Sequence, residues 1–111
     1  MDKKELQEIL RKHQLWLYGE EGGEYADLRN VNLNGVDLNK ATLRYAFLAE
    51  ADLTDADLTG ADFTNADLSG AKLASADLTG ADFTNANLFM ADFTNAKLDG
   101  ANISETTGLD I

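Results

Sequence analysis

From Ala26 to Glu105 the chain repeats one pattern: small apolar, polar, large apolar, then two polar positions. Sixteen such five-residue blocks follow one another without insertion or deletion. The first place is Ala in fourteen blocks, with Val31 and Val36 in the other two, and the third is Leu in twelve. Phe63, Phe83, Phe93 and Ile103 fill the remaining third places. A period of five fits neither the 3.6 of a helix nor the 2 of a flat strand. It suits a short extended segment with two inward side chains that then turns a corner. If each block is one side of a square, twenty residues complete a coil, and Phe63 stacks directly on Phe83 while Phe93 falls on another side. Gly or Asn often fills the fifth place, as at Asn30, Gly35, Gly60 and Asn65. Both tolerate positive φ, which puts the corner there.

Ahead of the repeat, residues 3–18 read as an amphipathic helix. Asp2 stands where a cap is needed, and Glu5 three places later completes a capping-box spacing. Leu6, Ile9, Leu10, His13, Trp16 and Leu17 follow at helical spacing as one apolar stripe, and Gly19 suits the stop. Leu15 lies off that stripe as an exposed leucine. A solenoid must cover the bare core and unpaired backbone of its first coil, and this helix is the expected cap. The chain thus divides into a cap and Gly-rich linker (1–25), the repeat (26–105) and a short tail (106–111). His13, the only histidine, lacks a second His, a Cys or a nearby Ser to complete a catalytic or metal constellation, so it reads as a packed cap residue. Trp16 reads as core.

Blocks such as Ala51-Asp52-Leu53-Thr54-Asp55 and Ala61-Asp62-Phe63-Thr64-Asn65 strongly resemble the pentapeptide-repeat family, A(D/N)LXX. The resemblance implies an all-β solenoid, a right-handed quadrilateral β-helix of about four coils. It also implies an N-terminal α-helical cap and homodimers joined through the C-terminal coil. Thr42, Phe47, Lys72 and Lys97 depart from the pattern, each in the outward second place.

Charge narrows the partners. The formal net charge is −11, which disfavours nucleic acid and anionic membrane. There is no Cys, no apolar run of membrane length and no secretory apolar core, so a cytoplasmic setting is the default. The Asp column of the second place could in principle hold Ca²⁺, yet no ligand-rich loop adds further oxygens. Neither a cofactor nor a metal is expected, nor a catalytic pair, since a convex surface excludes no water.

Function must then lie on the outer surface. Phe47, Phe89 and Met90 replace polar residues on one side of the square, with Tyr45 at the adjoining corner, and they form a candidate interaction surface. At the far end, Leu88, Phe93, Leu98 and Ile103 form the core edge of the last coil. Two outcomes can cover it: Leu109 and Ile111 folding across as a lid, or a second copy meeting it about a two-fold axis. The expected function is a non-catalytic structural or protein-interaction module, not an enzyme. The resemblance supplies an alternative, an acidic mimic of duplex DNA that binds DNA gyrase or another DNA-binding protein. Residues 26–105 carry thirteen acids and five bases. That is one net negative charge per ~2.4 Å of axis, against ~1.7 Å in DNA.

Overall fold

The computed structural model describes residues 1–110. One helix, α1 (Lys3–Leu17), leads into a coil in which each second-place residue bridges the residue twenty positions on, from Asp27↔Phe47 to Asn87↔Thr107, always in parallel. The sides are so short that pairing is reduced to isolated one-residue bridges, with no continuous strand among the described residues. The ladder is nonetheless regular. The third-place N–H donates to the second-place carbonyl of the next turn (Leu28 to Phe47, 2.7 Å), and the second-place N–H donates back to the first-place carbonyl (Phe47 to Ala26, 3.0 Å).

Corners fall where the pattern puts them. All sixteen fifth-place residues have positive φ, including Lys40 (59°), Tyr45 (64°), Ser75 (59°) and Met90 (63°), which are neither Gly nor Asn. The following first-place N–H closes every turn but the last on the third-place carbonyl, as Val31 does on Leu28 at 3.2 Å, and at the last the Thr106 hydroxyl donates to the Ile103 carbonyl at 3.1 Å. A hydrogen-bonded turn whose third residue alone has positive φ is type II.

Inside, the third-place column is buried from Leu28 to Leu88 and the first-place column from Ala46 to Ala86; Ala26 is also buried, whereas Val31, Val36 and Ala41 under the cap are half-buried. Phe63 and Phe83 stack with centroids 5.1 Å apart and planes 6° from parallel. Phe93 is not isolated on its own side: its ring meets Phe83 edge-on at 6.3 Å.

α1 lies across the first coil, and two of its residues differ from the sequence expectation. Asp2 accepts the Glu5 N–H at 2.8 Å, one arm of the capping box. At the other end Gly19 (φ 67°) donates to the Trp16 carbonyl and Glu20 to Leu15, the paired bonds of a Schellman stop. Leu6 and His13 are buried, Ile9, Leu10 and Leu17 are half-buried, and Leu15 is half-buried rather than exposed. Trp16, however, is 40% exposed and not core. His13 fills the last interior place, leaving Trp16 to stack on its ring at 5.5 Å at the rim of the coil. Gly23 lets the linker lie against the helix, since a Cβ there would come within 2.6 Å of Trp16 Cα.

At the other end the ladder runs on to Thr107, whose carbonyl accepts the Leu88 N–H at 2.8 Å. Gly108 (φ 73°) crosses Phe89 so closely that a Cβ would lie 2.6 Å from its Cα. Leu109 packs half-buried against the core; Ile111, its partner in the proposed lid, lies outside the described residues.

Two stability outcomes follow from this architecture. Phe63→Asp should unfold the chain, because even Phe→Ala in a core costs about 3–5 kcal/mol. Asp62→Ser, which keeps an oxygen for the Thr64 N–H, should cost no more than about 1 kcal/mol. Equal thermal midpoints for the pair would contradict the inside–outside assignment. Ser75→Gly should raise stability by roughly 0.5–1 kcal/mol in urea titration, since the left-handed strain removed exceeds the added freedom of the unfolded chain.

Candidate functional site: the outer columns and the two ends

The Asp and Asn residues of the second place are occupied locally. Asp82 Oδ1 accepts the Thr84 N–H at 2.9 Å and its hydroxyl at 2.6 Å, and Asp62, Asp77 and Asp92 repeat the arrangement. This bonding accounts for the frequency with which an Asp of the second place is followed two places later by Thr in this repeat. Where Phe47 or Lys72 removes the acceptor, the residue two later is Ala49 or Ala74. The Thr hydrogen bonds hold the carboxyls of Asp52, Asp77, Asp82 and Asp92 below their ordinary range, with Lys72, Lys97 and Arg44 adding to the effect at the first three. Successive turns stack these residues into columns. Asp37, Asp57 and Asp77 stand one above another with Lys97 next, and Lys72 sits between Asp52 and Asp92.

The apolar surface divides differently from the sequence expectation. Phe47 (38% exposed) meets Tyr25 edge-on at 5.1 Å, Tyr25 meets Trp16 at 5.9 Å, and the Arg29 guanidinium lies 5.7 Å over the Phe47 ring. Phe89 and Met90, both well exposed, lie two turns away, with Asp67 between Phe47 and Asn87. Tyr45 is exposed at its corner and joins no ring contact among the described residues. Sequence reasoning missed Tyr25 as the ring that joins Phe47 to Trp16. Tyr25 stands one place before the first block and lacks the positive φ of the corners, so no position of the repeat marked it.

Two shallow concavities lie where α1 crosses the first coil. One, about 320 Å³, runs between Leu6, Leu10, Leu33 and Val36; the other, about 430 Å³, between Glu5, Glu8, Ile9, Glu24, Tyr25 and Asp27. In the second, Lys12 reaches Glu24 at 3.7 Å.

His13 is fully buried, and both ring nitrogens are engaged. The Ala26 N–H donates to Nδ1 at 2.8 Å, so Nδ1 carries no proton and Nε2 donates to the Arg44 carbonyl at 2.7 Å. Burial pushes the imidazole pKa below its ordinary 6.5, and the Arg44 carbonyl opposes that in part. Each bond replaces one of the ladder's own. Elsewhere a fourth-place carbonyl takes an N–H from the preceding turn, as Thr64 does from Tyr45, and a first-place N–H finds a third-place carbonyl, as Ala46 finds Leu43.

At the far end the columns open. Leu88 is buried beneath Thr107, Phe93 and Leu98 are half-buried, and Ile103 is 41% exposed. The N–H groups of Phe93, Leu98 and Ile103 have no backbone partner among the described residues.

This repeating geometry agrees with the comparisons. The family model for pentapeptide repeats (8 copies) matches residues 24–60, 51–89 and 76–107. The chain belongs to the pentapeptide-repeat family. No curated protein sequence matches it. Among solved structures, alr5209, a pentapeptide repeat protein from Nostoc PCC 7120, is 28% identical with a TM-score of 0.70, covering 92% of this chain and 88% of its own. HetL, from Nostoc sp. strain PCC 7120 and involved in heterocyst differentiation regulation, is 41% identical with a TM-score of 0.50 over 72% of this chain. The chain spans only 39% of HetL. QnrB1, a plasmid-mediated fluoroquinolone resistance protein, is 28% identical with a TM-score of 0.54, covering 63% of this chain and 35% of its own. These neighbours are repeat solenoids, and the fold class is theirs. Among the described residues no helix is long and apolar enough to cross a membrane.

The local bonding of the Asp column has a consequence in acid. Carboxyls held below the ordinary 3.8 contribute stability that is present above that value and lost as pH falls through their lowered values. Thr84→Val should therefore raise the Asp82 pKa toward 3.8 in a carboxyl NMR titration and move acid unfolding to higher pH. An unchanged Asp82 titration would show that the hydroxyl bond does not hold the charge.

Proposed function

We propose that the chain is a non-catalytic protein-interaction module, a right-handed β-helix of about four coils that meets a second copy through its last coil. The observation that carries this is the open edge at Phe93, Leu98 and Ile103, where core side chains lie together with N–H groups that have no backbone partner among the described residues. Such an edge is a template for pairing, and a two-fold contact closes it with the fewest copies. Phe89 and Met90 flank the same end and extend its apolar area around the side. The charge fits a cytoplasmic protein partner and repels nucleic acid and anionic membrane.

A second reading, the acidic mimic of duplex DNA acting on gyrase, draws support from the Asp37–Asp57–Asp77 column and the likeness to QnrB1. Length weighs against a single copy: four coils of the repeat span only ~19 Å, against ~34 Å for one duplex turn. Pairing two copies end to end would lengthen the acidic rod enough to make the reading geometrically tolerable.

Light scattering at micromolar concentration tests the first reading. Wild type should show twice the 12.0 kDa chain mass, and Phe93→Lys should show one chain mass. A wild-type mass of one chain across the accessible range rules out the dimer. A gyrase supercoiling assay tests the second, which requires stoichiometric inhibition that weakens steeply with salt.

A further inference from the structure

We propose that His13 is a proton-sensitive latch: when its ring takes up a second proton, α1 lets go of the first coil and uncovers it. The geometry leaves the imidazole no alternative in the docked state. Nδ1 must stay bare to accept the Ala26 N–H, and Nε2 must keep its proton to reach the Arg44 carbonyl. A cationic ring would set an N–H against the Ala26 N–H while the side chain is fully buried. No carboxylate compensates. On α1, Lys12 is paired to Glu24 of the linker; on the coil, Arg44 reaches Asp62 at 3.7 Å and Asp27 is held by Arg29 at 2.7 Å. The stacked face of Trp16 favours a cation, but the ring's pKa still moves down, so burial prevails.

These two bonds and the side chains of Leu6, Ile9 and Leu10 hold the helix on the coil, so losing the bonds weakens the docking itself. Release bares Leu33, Leu38 and Leu43. Above the ordinary imidazole pKa of 6.5 the docked and released forms are both neutral, and docking is independent of pH. Below 6.5 the released form binds a proton that the docked form refuses. The docking constant then falls up to tenfold per pH unit until the lowered pKa is reached.

The test uses the full chain between pH 8 and 5.2, above the carboxylate range. Trp16 is the only tryptophan and touches the latch, so its emission in urea reports release of α1. In wild type the urea midpoint should be flat down to about pH 6.5 and then fall. In His13→Gln, whose amide can accept from Ala26 and donate to Arg44 without titrating, it should stay flat. His13→Arg should show released emission already at pH 7.5. An equal pH response in wild type and His13→Gln would overturn the latch. Should the glutamine variant not fold, ¹⁵N NMR of the wild-type ring decides alone. A neutral Nε2–H ring that persists below pH 6 supports the proposal, and a ring that titrates at or above 6.5 with α1 still docked ends it.

Discussion

A left-handed residue at every fifth position is the constraint on which the rest of the molecule depends. With φ between 57° and 71° at all sixteen corners, the chain bends after each large inward side chain and brings the next small one inside. Gly and Asn accept that conformation readily; Lys40, Tyr45, Glu50, Ser75 and Met90 do so at about 1–2 kcal/mol each. Each block also buries a Leu or Phe, which contributes roughly 1.5–3 kcal/mol. The core term exceeds the corner term, so the repeat tolerates poor corner residues. A polar residue in the third place would leave the same corner with nothing to offset it.

A one-dimensional ladder of this kind satisfies its interior completely and leaves its problem at the ends. At the start a single imidazole supplies one donor and one acceptor where a preceding turn would have supplied them. That solution is compact but chemically conditional, since only the neutral ring has both. At the finish, Thr107 and Leu109 cover one side, and the sides built on Phe93, Leu98 and Ile103 stay open. The difference between the ends is the difference between a covered edge and one available for contact.

What was legible in the sequence was whatever repeats. The inward columns, the corners at Asn30 and Gly35 and the stacking of Phe63 on Phe83 follow from counting, because each residue's surroundings are copies of its own block. Non-repeating contacts were not legible. The helical stripe puts Trp16 among the buried residues, but the stripe runs past the rim of the square, and no periodicity records where the rim falls. Tyr25 and Phe47 meet although neither block predicts it, and Phe47 and Phe89 share a side yet stand two turns apart. The two-bond role of His13 was equally hidden, since it depends on which ladder groups the first turn leaves empty.

The acidic surface is best understood from the corner outward. Each Asp of the second place takes the N–H, and often the hydroxyl, of the residue two later, bonds made short by the charge on the acceptor. Stacking these carboxylates one turn apart sets like charges ~4.8 Å from each other, but the groups face water, where the repulsion is weak and screened by salt. The balance is visible at Asp77. Its carboxyl is held below the ordinary range although Asp57 stands one rung away, and the Thr79 hydroxyl is the largest cause. At Asp77, local bonding, helped by Lys97 on the next rung, therefore outweighs repulsion. A strongly negative face arises from the turn chemistry itself, before any partner is considered. Lys72 and Lys97, placed within those columns, interrupt the face, whereas a surface shaped to imitate a phosphate backbone would gain by leaving it continuous.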